Sequence, residues 1–184
     1  MRLAAVFLLS ASCACQKAVS SQAGAGQRPA DEEPASLSLA LVGYNYTNRY
    51  IDTFSVDGQG GGNLYVSSPT SGGGGTVCCV AYWPGEKLYK IKVRWQSGAC
   101  YYRARSRTSD EVYTRLHSFF KEAEVAVSDK AGSRGQYMEV HFYPDGSVQA
   151  AVTAEASMPR LSLSKDRKDD SKYPRCPNDE KPAQ

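Results

Sequence analysis

The chain contains 184 residues, of which 41% are hydrophobic and 22% are charged, and its formal net charge is +3. This charge is too small to indicate a nucleic-acid-binding protein, because such domains concentrate many Lys and Arg side chains on one face. It is compatible with an acidic protein partner without requiring one. Once the two terminal segments are set aside, roughly 125–150 residues remain, which is enough for one domain with its own core.

The N-terminus has the three regions of a bacterial export signal. Arg2 supplies an early positive charge, an apolar run extends from Leu3 to Leu9, and small residues follow. The run is too short to span a bilayer as a helix. Residues 1–12 are therefore predicted to be a signal peptide, which directs the mature chain to an oxidising compartment outside the cytoplasm.

Two cysteines after the apolar run indicate lipidation. Cys13 and Cys15 each follow a small residue, as does the cysteine before which the lipoprotein signal peptidase cuts. We predict that Cys13 carries the lipid because Leu9 lies close to the cut, and Cys15 is the alternative. Acyl chains such as palmitate would then anchor the protein, each buried methylene contributing about 0.8 kcal/mol. Ordinary secretion after cleavage near residues 23–25 is the competing interpretation.

The expected location is the periplasm, with the lipid anchor in the outer membrane. If Cys13 is acylated, Ala14 takes the second mature position, where inner-membrane lipoproteins commonly have aspartate. Residues 13–36 are predicted to form the lipidated N-terminus and a flexible tether, because they are rich in Gly, Pro, Ser and charge. Residues 37–158 are predicted to form a β-rich globular domain. Residues 159–184 form a charged, Pro-rich tail, which only Cys176 suggests is held in place.

Alternating hydrophobicity predicts several hairpins in the central domain. Residues 37–47 and 50–58 alternate, and residues 76–83 and 88–95 flank a Pro-Gly turn. A further hairpin is predicted over residues 136–154, around the turn Tyr-Pro-Asp-Gly.

One amphipathic helix is predicted after residue 108. Thr108 and Glu111 have the spacing of a capping box, and apolar residues then recur at helical spacing, namely Val112, Leu116, Phe119, Phe120 and Ala123. The predicted fold class is therefore α+β: an antiparallel, hairpin-rich sheet with one main amphipathic helix packed on it.

The four remaining cysteines are expected to form structural disulfides. Cys78 and Cys79 are adjacent on a predicted strand, so their side chains should point to opposite faces and be poorly placed to bond each other. We expect one of them to pair with Cys100 and the other with Cys176, and the pairing stays open. A metal or redox site is the alternative, but there is no Cys-x-x-Cys motif. We therefore predict no metal ligands and no cofactor.

Two glycine runs, at residues 57–63 and 71–76, invite comparison with phosphate-binding loops. No Gly-Lys-Ser/Thr follows them, and a strand follows where a phosphate-binding loop needs a helix. They are interpreted instead as surface loops.

His117 and His141 lie on different predicted elements, and neither a Gly-x-Ser-x-Gly nor a His-Glu-x-x-His motif occurs. We therefore expect no catalytic residues and no enzymatic activity.

Basic and tyrosine residues alternate along the middle of the chain. Tyr and Arg are enriched at the centres of protein interfaces. The predicted partner-binding residues are Lys90, Lys92, Arg94, Tyr101, Tyr102 and Arg103. The competing interpretation is an ordinary solvated face of a sheet.

Residues 43–63, 67–85 and 93–95 carry a specific combination: Gly-Tyr-Asn-Tyr-Thr, two glycine runs and adjacent cysteines. Over roughly residues 38–105 the sequence resembles a bacterial lipoprotein family described as domain of unknown function 3304. Members of that family look like immunity partners of phospholipase effectors of the type VI secretion system. The resemblance does not cover the tail with Cys176.

The resemblance implies a periplasmic, membrane-anchored immunity lipoprotein that binds and inhibits a cognate phospholipase effector. Such inhibition requires a binding surface and no chemistry, which agrees with the missing catalytic motifs. The expected partners are the effector and, through the lipid anchor, the membrane. A structural or assembly lipoprotein of the envelope and a small-ligand-binding module are the alternatives.

Overall fold

A computed structural model describes residues 36–85, 88–170 and 172–183. The predicted signal peptide, Cys13, Cys15 and all but the last residue of the predicted tether lie outside the described residues. The helices in the described part of the chain are too short or too polar to cross a membrane.

Eight strands form one sheet. They are β1 (Leu37–Asn45), β2 (Ile51–Val56), β3 (Gln59–Leu64), β4 (Gly73–Tyr82), β5 (Lys90–Arg105), β6 (Val112–Asp129), β7 (Tyr137–Phe142) and β8 (Val148–Thr153). Their order across the sheet is β3-β2-β5-β6-β8-β7-β1-β4. The β1–β7 and β6–β8 pairs are parallel, and the other pairs are antiparallel.

The sheet curls until its two edge strands meet, so that it is nearly closed like a barrel. The Tyr65 N–H, just after β3, donates to the carbonyl of Gly73 at 2.8 Å, and Gln59 Nε2 donates to the carbonyl of Cys78 at 3.1 Å. The glycine runs therefore lie largely within β3 and β4, and not in surface loops as the sequence suggested. Glycine is required at Gly73, because a Cβ there would contact the backbone oxygen of Tyr65.

The core fills the inside of this curved sheet with residues that alternate along the strands. Leu39 and Leu41 from β1, Val93 from β5 and Met138 from β7 are all buried there. Phe142 lies in the middle, with its ring centroid 5.4 Å from that of Phe54 and 5.7 Å from that of Trp95. Burial of these apolar side chains is the main force that closes the sheet.

The predicted amphipathic helix is absent from the described residues, and the α+β class is wrong. Residues 112–129 form β6, an 18-residue strand antiparallel to β5. The segment is rich in aromatic and β-branched residues, which favour strands. The Thr108–Glu111 pattern belongs to the hairpin turn, where the backbone amides of Thr108 and Ser109 donate to Ser106 Oγ instead of starting a helix.

The C-terminal segment packs on the sheet in two parts. Residues 154–170, here called the strap, cross the outer side of β1 and β7, where Arg167 donates to the carbonyls of Tyr46, Thr47 and Ser67. Residues 174–176 then run beside β5 and exchange two backbone hydrogen bonds with Tyr101, at 2.9 and 2.8 Å. The predicted tail is therefore held to the sheet at both parts.

Candidate protein-binding surface

The β5–β6 hairpin extends past the rest of the sheet. The two strands pair from Lys90 and Ala126 to Arg105 and Val112, whereas β2 joins β5 only at residues 93–95. We call residues 98–119 the hairpin arm. Residues 174–176 support its β5 side. The arm is long because β5 and β6 stay in register beyond a single irregularity between Gln96 and Gly98.

One face of the arm, the outer face, exposes large apolar side chains. Directly opposite residues of an antiparallel pair share a face, so Tyr101 and Leu116 lie together, as do Arg105 and Val112. Tyr101 is 38% exposed, Leu116 42% and Val112 53%. Phe120 continues this face at the base of the arm and is also exposed. Several exposed apolar side chains on one face commonly mark a binding site.

Arginines border these apolar side chains. Arg103 lies on the outer face, opposite Thr114, and its Nε is 2.9 Å from Asp179 Oδ2. Arg105 lies on the same face and pairs loosely with Asp110 at 3.6 Å. Both guanidinium groups remain largely exposed to solvent. Exposed Arg beside exposed aromatic rings is the composition of interface centres.

The predicted basic residues of β5 lie on the same face, nearer the barrel. Lys90 Nζ is 3.7 Å from Glu124 Oε2, and Lys92 Nζ is 3.5 Å from Glu122 Oε1. Their positive charge is therefore partly neutralised by β6. Arg94 covers the ring of Phe120, with its Cζ 3.8 Å from the ring centroid.

Tyr102 is separated from the other predicted partner-binding residues. It points to the opposite face of the arm, where it is buried beside Cys100 and Cys176. Lys90, Lys92, Arg94, Tyr101 and Arg103 share the outer face. Val112, Leu116 and Phe120 were missed as surface residues because they were assigned to the buried side of a helix. The β-branched and aromatic residues of this segment favour a strand, but apolar side chains on both of its faces leave no alternation that would have placed these residues.

The disulfides differ from the expected pairing. Cys100 bonds to Cys176, and Cys78 bonds to its neighbour Cys79. The expectation that adjacent strand cysteines face apart does not hold here, because the Cys78–Cys79 peptide is cis and the Cα atoms are 3.1 Å apart. The Cys100–Cys176 bond fastens the C-terminal segment to the arm. Among the described residues, no cluster of His, Cys, Asp and Glu could hold a metal ion.

A second notable group is a buried polar cluster beneath the strap. Tyr44, Tyr46, Glu139 and His141 project from β1 and β7, or directly after β1, on the outer side of the sheet, and all four are buried. The carboxylate of Glu139 accepts the Ser157 N–H at 2.7 Å and the Thr153 hydroxyl at 3.2 Å. The Arg160 guanidinium of the strap lies 3.6 Å from the same carboxylate.

Histidine and tyrosine complete this cluster. Burial alone would raise the pKa of Glu139, but hydrogen bonds from His141 and Ser157 lower it from 4.5 to about 2. Burial lowers the pKa of His141, so the neutral imidazole is favoured. Its Nε2 donates to Glu139 at 3.2 Å, and its Nδ1 accepts from the Tyr46 hydroxyl at 3.0 Å. Burial also raises the pKa of Tyr44 and Tyr46. The cluster fastens the strap to the sheet.

The two histidines therefore have different surroundings. His117 lies on the arm, with its ring centroid 5.0 Å from that of Phe119. His141 is fully buried in the cluster.

A cavity of about 280 Å³ opens between residues 47–51, residues 95–98 and the β7–β8 turn. Its lining combines the rings of Trp95, Tyr143 and Tyr173 with the cationic side chains of Arg49 and Lys121. Aromatic and cationic groups together are suited to a small anionic or polar ligand.

The family model described as "Protein of unknown function (DUF3304)" matches residues 44–150, which is more than half of the chain. The chain belongs to the DUF3304 family. The match includes β2 to β7, the whole hairpin arm and the cysteines at positions 78, 79 and 100, and it ends inside β8. Neither a curated protein nor a solved structure matches the chain.

Proposed function

We propose that this DUF3304 protein is a periplasmic, membrane-anchored immunity lipoprotein, and that it binds and inhibits a phospholipase effector of the type VI secretion system. The observation that carries the proposal is the outer face of the hairpin arm. There Tyr101, Leu116 and Val112 are exposed beside Arg103 and Arg105.

The energetics of the outer face favour protein binding over simple solvation. Exposed apolar area gains roughly 25 cal/mol per Å² when a partner covers it. The arm is supported on its β5 side by residues 174–176 and the Cys100–Cys176 bond, so its side chains are held in place before binding. A preformed surface loses less conformational entropy on association. The arginines add directed hydrogen bonds to carboxylates of the effector.

Inhibition by this surface requires only that the effector's access to phospholipid be blocked. Lipidation at Cys13 or Cys15 would keep the domain at the membrane where such an effector acts. The tether would let the arm reach an effector that lies on the same membrane. Periplasmic location, lipidation and the effector partner are parts of one proposal.

The proposal predicts that a phospholipase is encoded beside this protein, and the decisive experiment is coexpression with that lipase. Tyr101→Ala should weaken the complex about 10- to 30-fold, because interface aromatic anchors contribute on the order of 2 kcal/mol. Tyr65→Ala is the matched control, since Tyr65 is a more exposed tyrosine distant in sequence from the arm. Affinity is measured by titration of the purified lipase, and protection by survival of the producing cells.

Two results would contradict the proposal. If the unaltered protein leaves the lipase fully toxic, inhibition is excluded. If Tyr65→Ala weakens the complex as much as Tyr101→Ala, the arm is not the binding surface.

A small-ligand-binding module is the second candidate, because the cavity near Trp95 combines rings and cations. It becomes the leading candidate if the unaltered protein gives no protection.

A further inference from the structure

The hairpin arm has one unpaired edge. Residues 112–126 of β6 pair with β5, and in the described part of the chain β8 joins β6 only at residues 127–129. Soluble proteins usually protect such edges with charged residues, prolines or bulges. Between Val112 and Phe120 this edge contains one charged residue, Arg115, and otherwise aliphatic, aromatic, hydroxyl and imidazole side chains.

The backbone of Leu116 points to this open edge. Tyr101 turns its own N–H and carbonyl toward residues 174–176, with hydrogen bonds of 2.9 and 2.8 Å. Leu116 is directly opposite Tyr101 and therefore forms a pair without mutual hydrogen bonds. Its N–H and carbonyl must face away from β5. The same direction recurs at every second residue, so Thr114 and Ser118 also present backbone groups to the open edge.

The side chains around Leu116 form a near-palindrome. The positions next to Leu116, Arg115 and His117, do not match. Beyond them, going outward in both directions, matching positions carry two hydroxyls, two aromatic rings, two apolar side chains and two opposite charges. The matched pairs are Thr114 with Ser118, Tyr113 with Phe119, Val112 with Phe120, and Glu111 with Lys121. An antiparallel partner with the same sequence would therefore place like groups together and unlike charges opposite each other.

We propose that a second copy of this chain docks on the β6 edge, with the two β6 strands antiparallel and Leu116 opposite its own counterpart. The contact is self-complementary, as a two-fold axis requires. Backbone direction and charge select the register. The backbone allows any register in which even-numbered residues lie opposite one another. Among these, only the Leu116-centred register pairs Glu111 with Lys121, whereas a Ser118-centred one would put Arg115 opposite Lys121. The inference does not rest on the proposed function, because pairing at the edge leaves the outer face open.

Disulfide trapping tests whether a second copy binds the β6 edge and in which register. The full-length chain is prepared with Cys13→Ser and Cys15→Ser, because the other four cysteines are bonded to one another, and this background without an added cysteine is the unaltered control. Leu116→Cys, Thr114→Cys or Ser118→Cys is added to it, and each variant is treated with a mild oxidant and separated on a non-reducing gel. Opposite Cα atoms in a hydrogen-bonded pair are about 5.5 Å apart, which a disulfide can bridge. In the proposed register Thr114 and its counterpart are offset by four residues, roughly 13 Å. Only Leu116→Cys should give a covalent dimer, and the unaltered chain should not.

Other outcomes overturn the proposal. Dimers from Ser118→Cys alone would place the two-fold axis elsewhere, equal dimer yields from all three variants would indicate random collision, and no dimer would mean that no copy docks there. Cross-linking of Leu116→Cys to the neighbouring lipase instead would assign the edge to a strand of that protein. Leu116 is exposed, so cysteine there should not disturb folding.

A charge exchange provides a second, independent readout. Glu111→Lys would place two lysines opposite each other at both ends of the contact and should weaken dimerisation about fivefold in sedimentation experiments. The double variant Glu111→Lys with Lys121→Glu restores opposite charges and should recover the original dimer. Failure of the double variant to recover would contradict the proposed register.

Discussion

The ionised carboxylate of Glu139 depends on hydrogen bonds from three separate parts of the chain. His141 belongs to β7, Thr153 to β8 and Ser157 to the strap. A buried charge is stable only when it is paired and hydrogen-bonded, so each of these contacts links the folding of one segment to the others. The two carboxylate oxygens of Glu139 therefore link the strap to the sheet through these hydrogen bonds.

Replacing this carboxylate should destabilise the fold. Glu139→Gln keeps the volume and one acceptor oxygen for Ser157 and Thr153, but it puts an amide NH2 where Oε2 accepts from His141, and it leaves the Arg160 guanidinium without its counter-charge. The free energy of unfolding should fall by roughly 1–3 kcal/mol. Urea denaturation at pH 7 measures it. Glu155→Gln, which replaces an exposed carboxylate of the strap, is the control and should change stability little.

Glu139 also sets part of the pH dependence of stability. The pKa of Glu139 is about 2 in the folded chain, compared with 4.5 for the free side chain, so the unfolded chain binds more protons between these values. Its stabilisation is present above about pH 4.5 and is lost as the pH falls toward 2. In the Glu139→Gln variant, the free energy of unfolding should change less with pH between about 2 and 4.5. An unchanged profile would show that Glu139 does not contribute in this way.

At the scale of elements, the two disulfides should differ in their effect on stability. The Cys100–Cys176 bond spans 76 residues, whereas the Cys78–Cys79 bond spans one. In the chain-entropy account, a long closed loop stabilises more than a short one, by about 4 kcal/mol for a loop of this length. The double variant Cys100→Ser, Cys176→Ser should therefore lose far more stability than Cys78→Ser, Cys79→Ser.

Thermal unfolding of both double variants under identical conditions provides the comparison. The Cys78 and Cys79 variant serves as the matched control, since each variant loses two cysteines and one bond. Equal shifts in melting temperature would mean that fastening the C-terminal segment to the arm contributes nothing beyond local packing.

The strands with strict alternation were predictable, and the long hairpin was not. The hairpins predicted for residues 37–58 and 76–95 are wrong, because β1 pairs with β4 and β7, and β5 pairs with β2 and β6. The β5 segment alternates Ile91, Val93 and Trp95 with basic residues, because one face packs on the core and the other meets solvent. In β6 this rule fails, since the arm has apolar side chains on both faces. The spacing from Val112 to Ala123 then fits a helix equally well. Pairing with β5 decides between a strand and a helix, and the local sequence of residues 112–123 does not show that pairing.

The β5 half of the candidate surface was predictable from the sequence, and the β6 half was not. The basic and aromatic residues of β5 indicated binding from composition alone. Their apolar neighbours on β6 depend on cross-strand register, which no local pattern encodes. Glu139 and His141 are two residues apart on one strand, but their partner Ser157 comes from an irregular segment without a sequence signal. The Cys78–Cys79 bond depends on local backbone geometry that alternation rules do not predict.

At the scale of the whole molecule, closure of the sheet depends on glycine in β4. Gly73 has a φ of +96°, and a Cβ there would contact the Tyr65 carbonyl across the seam between the edge strands. Gly73→Ala should therefore lower the free energy of unfolding by roughly 1–3 kcal/mol. Gly75→Ala is the matched control, because nothing lies within 4 Å of its Cβ position.

Urea denaturation of the two alanine variants distinguishes a close contact from a general need for flexibility. The change for Gly75→Ala should stay within about 0.5 kcal/mol of zero. If both variants lose the same stability, the glycine run acts through chain flexibility and the seam is not the cause.

The strap also affects where the fold ends along the chain. The family match stops at residue 150, inside β8, but Ser157, Arg160 and Cys176 all lie after that point. A truncation at the end of the match would remove the Thr153 and Ser157 donors to Glu139 and would leave Cys100 without its partner. The smallest fragment that retains the complete architecture must therefore include residue 176, so the folding unit is longer than the segment by which its relatives are recognised.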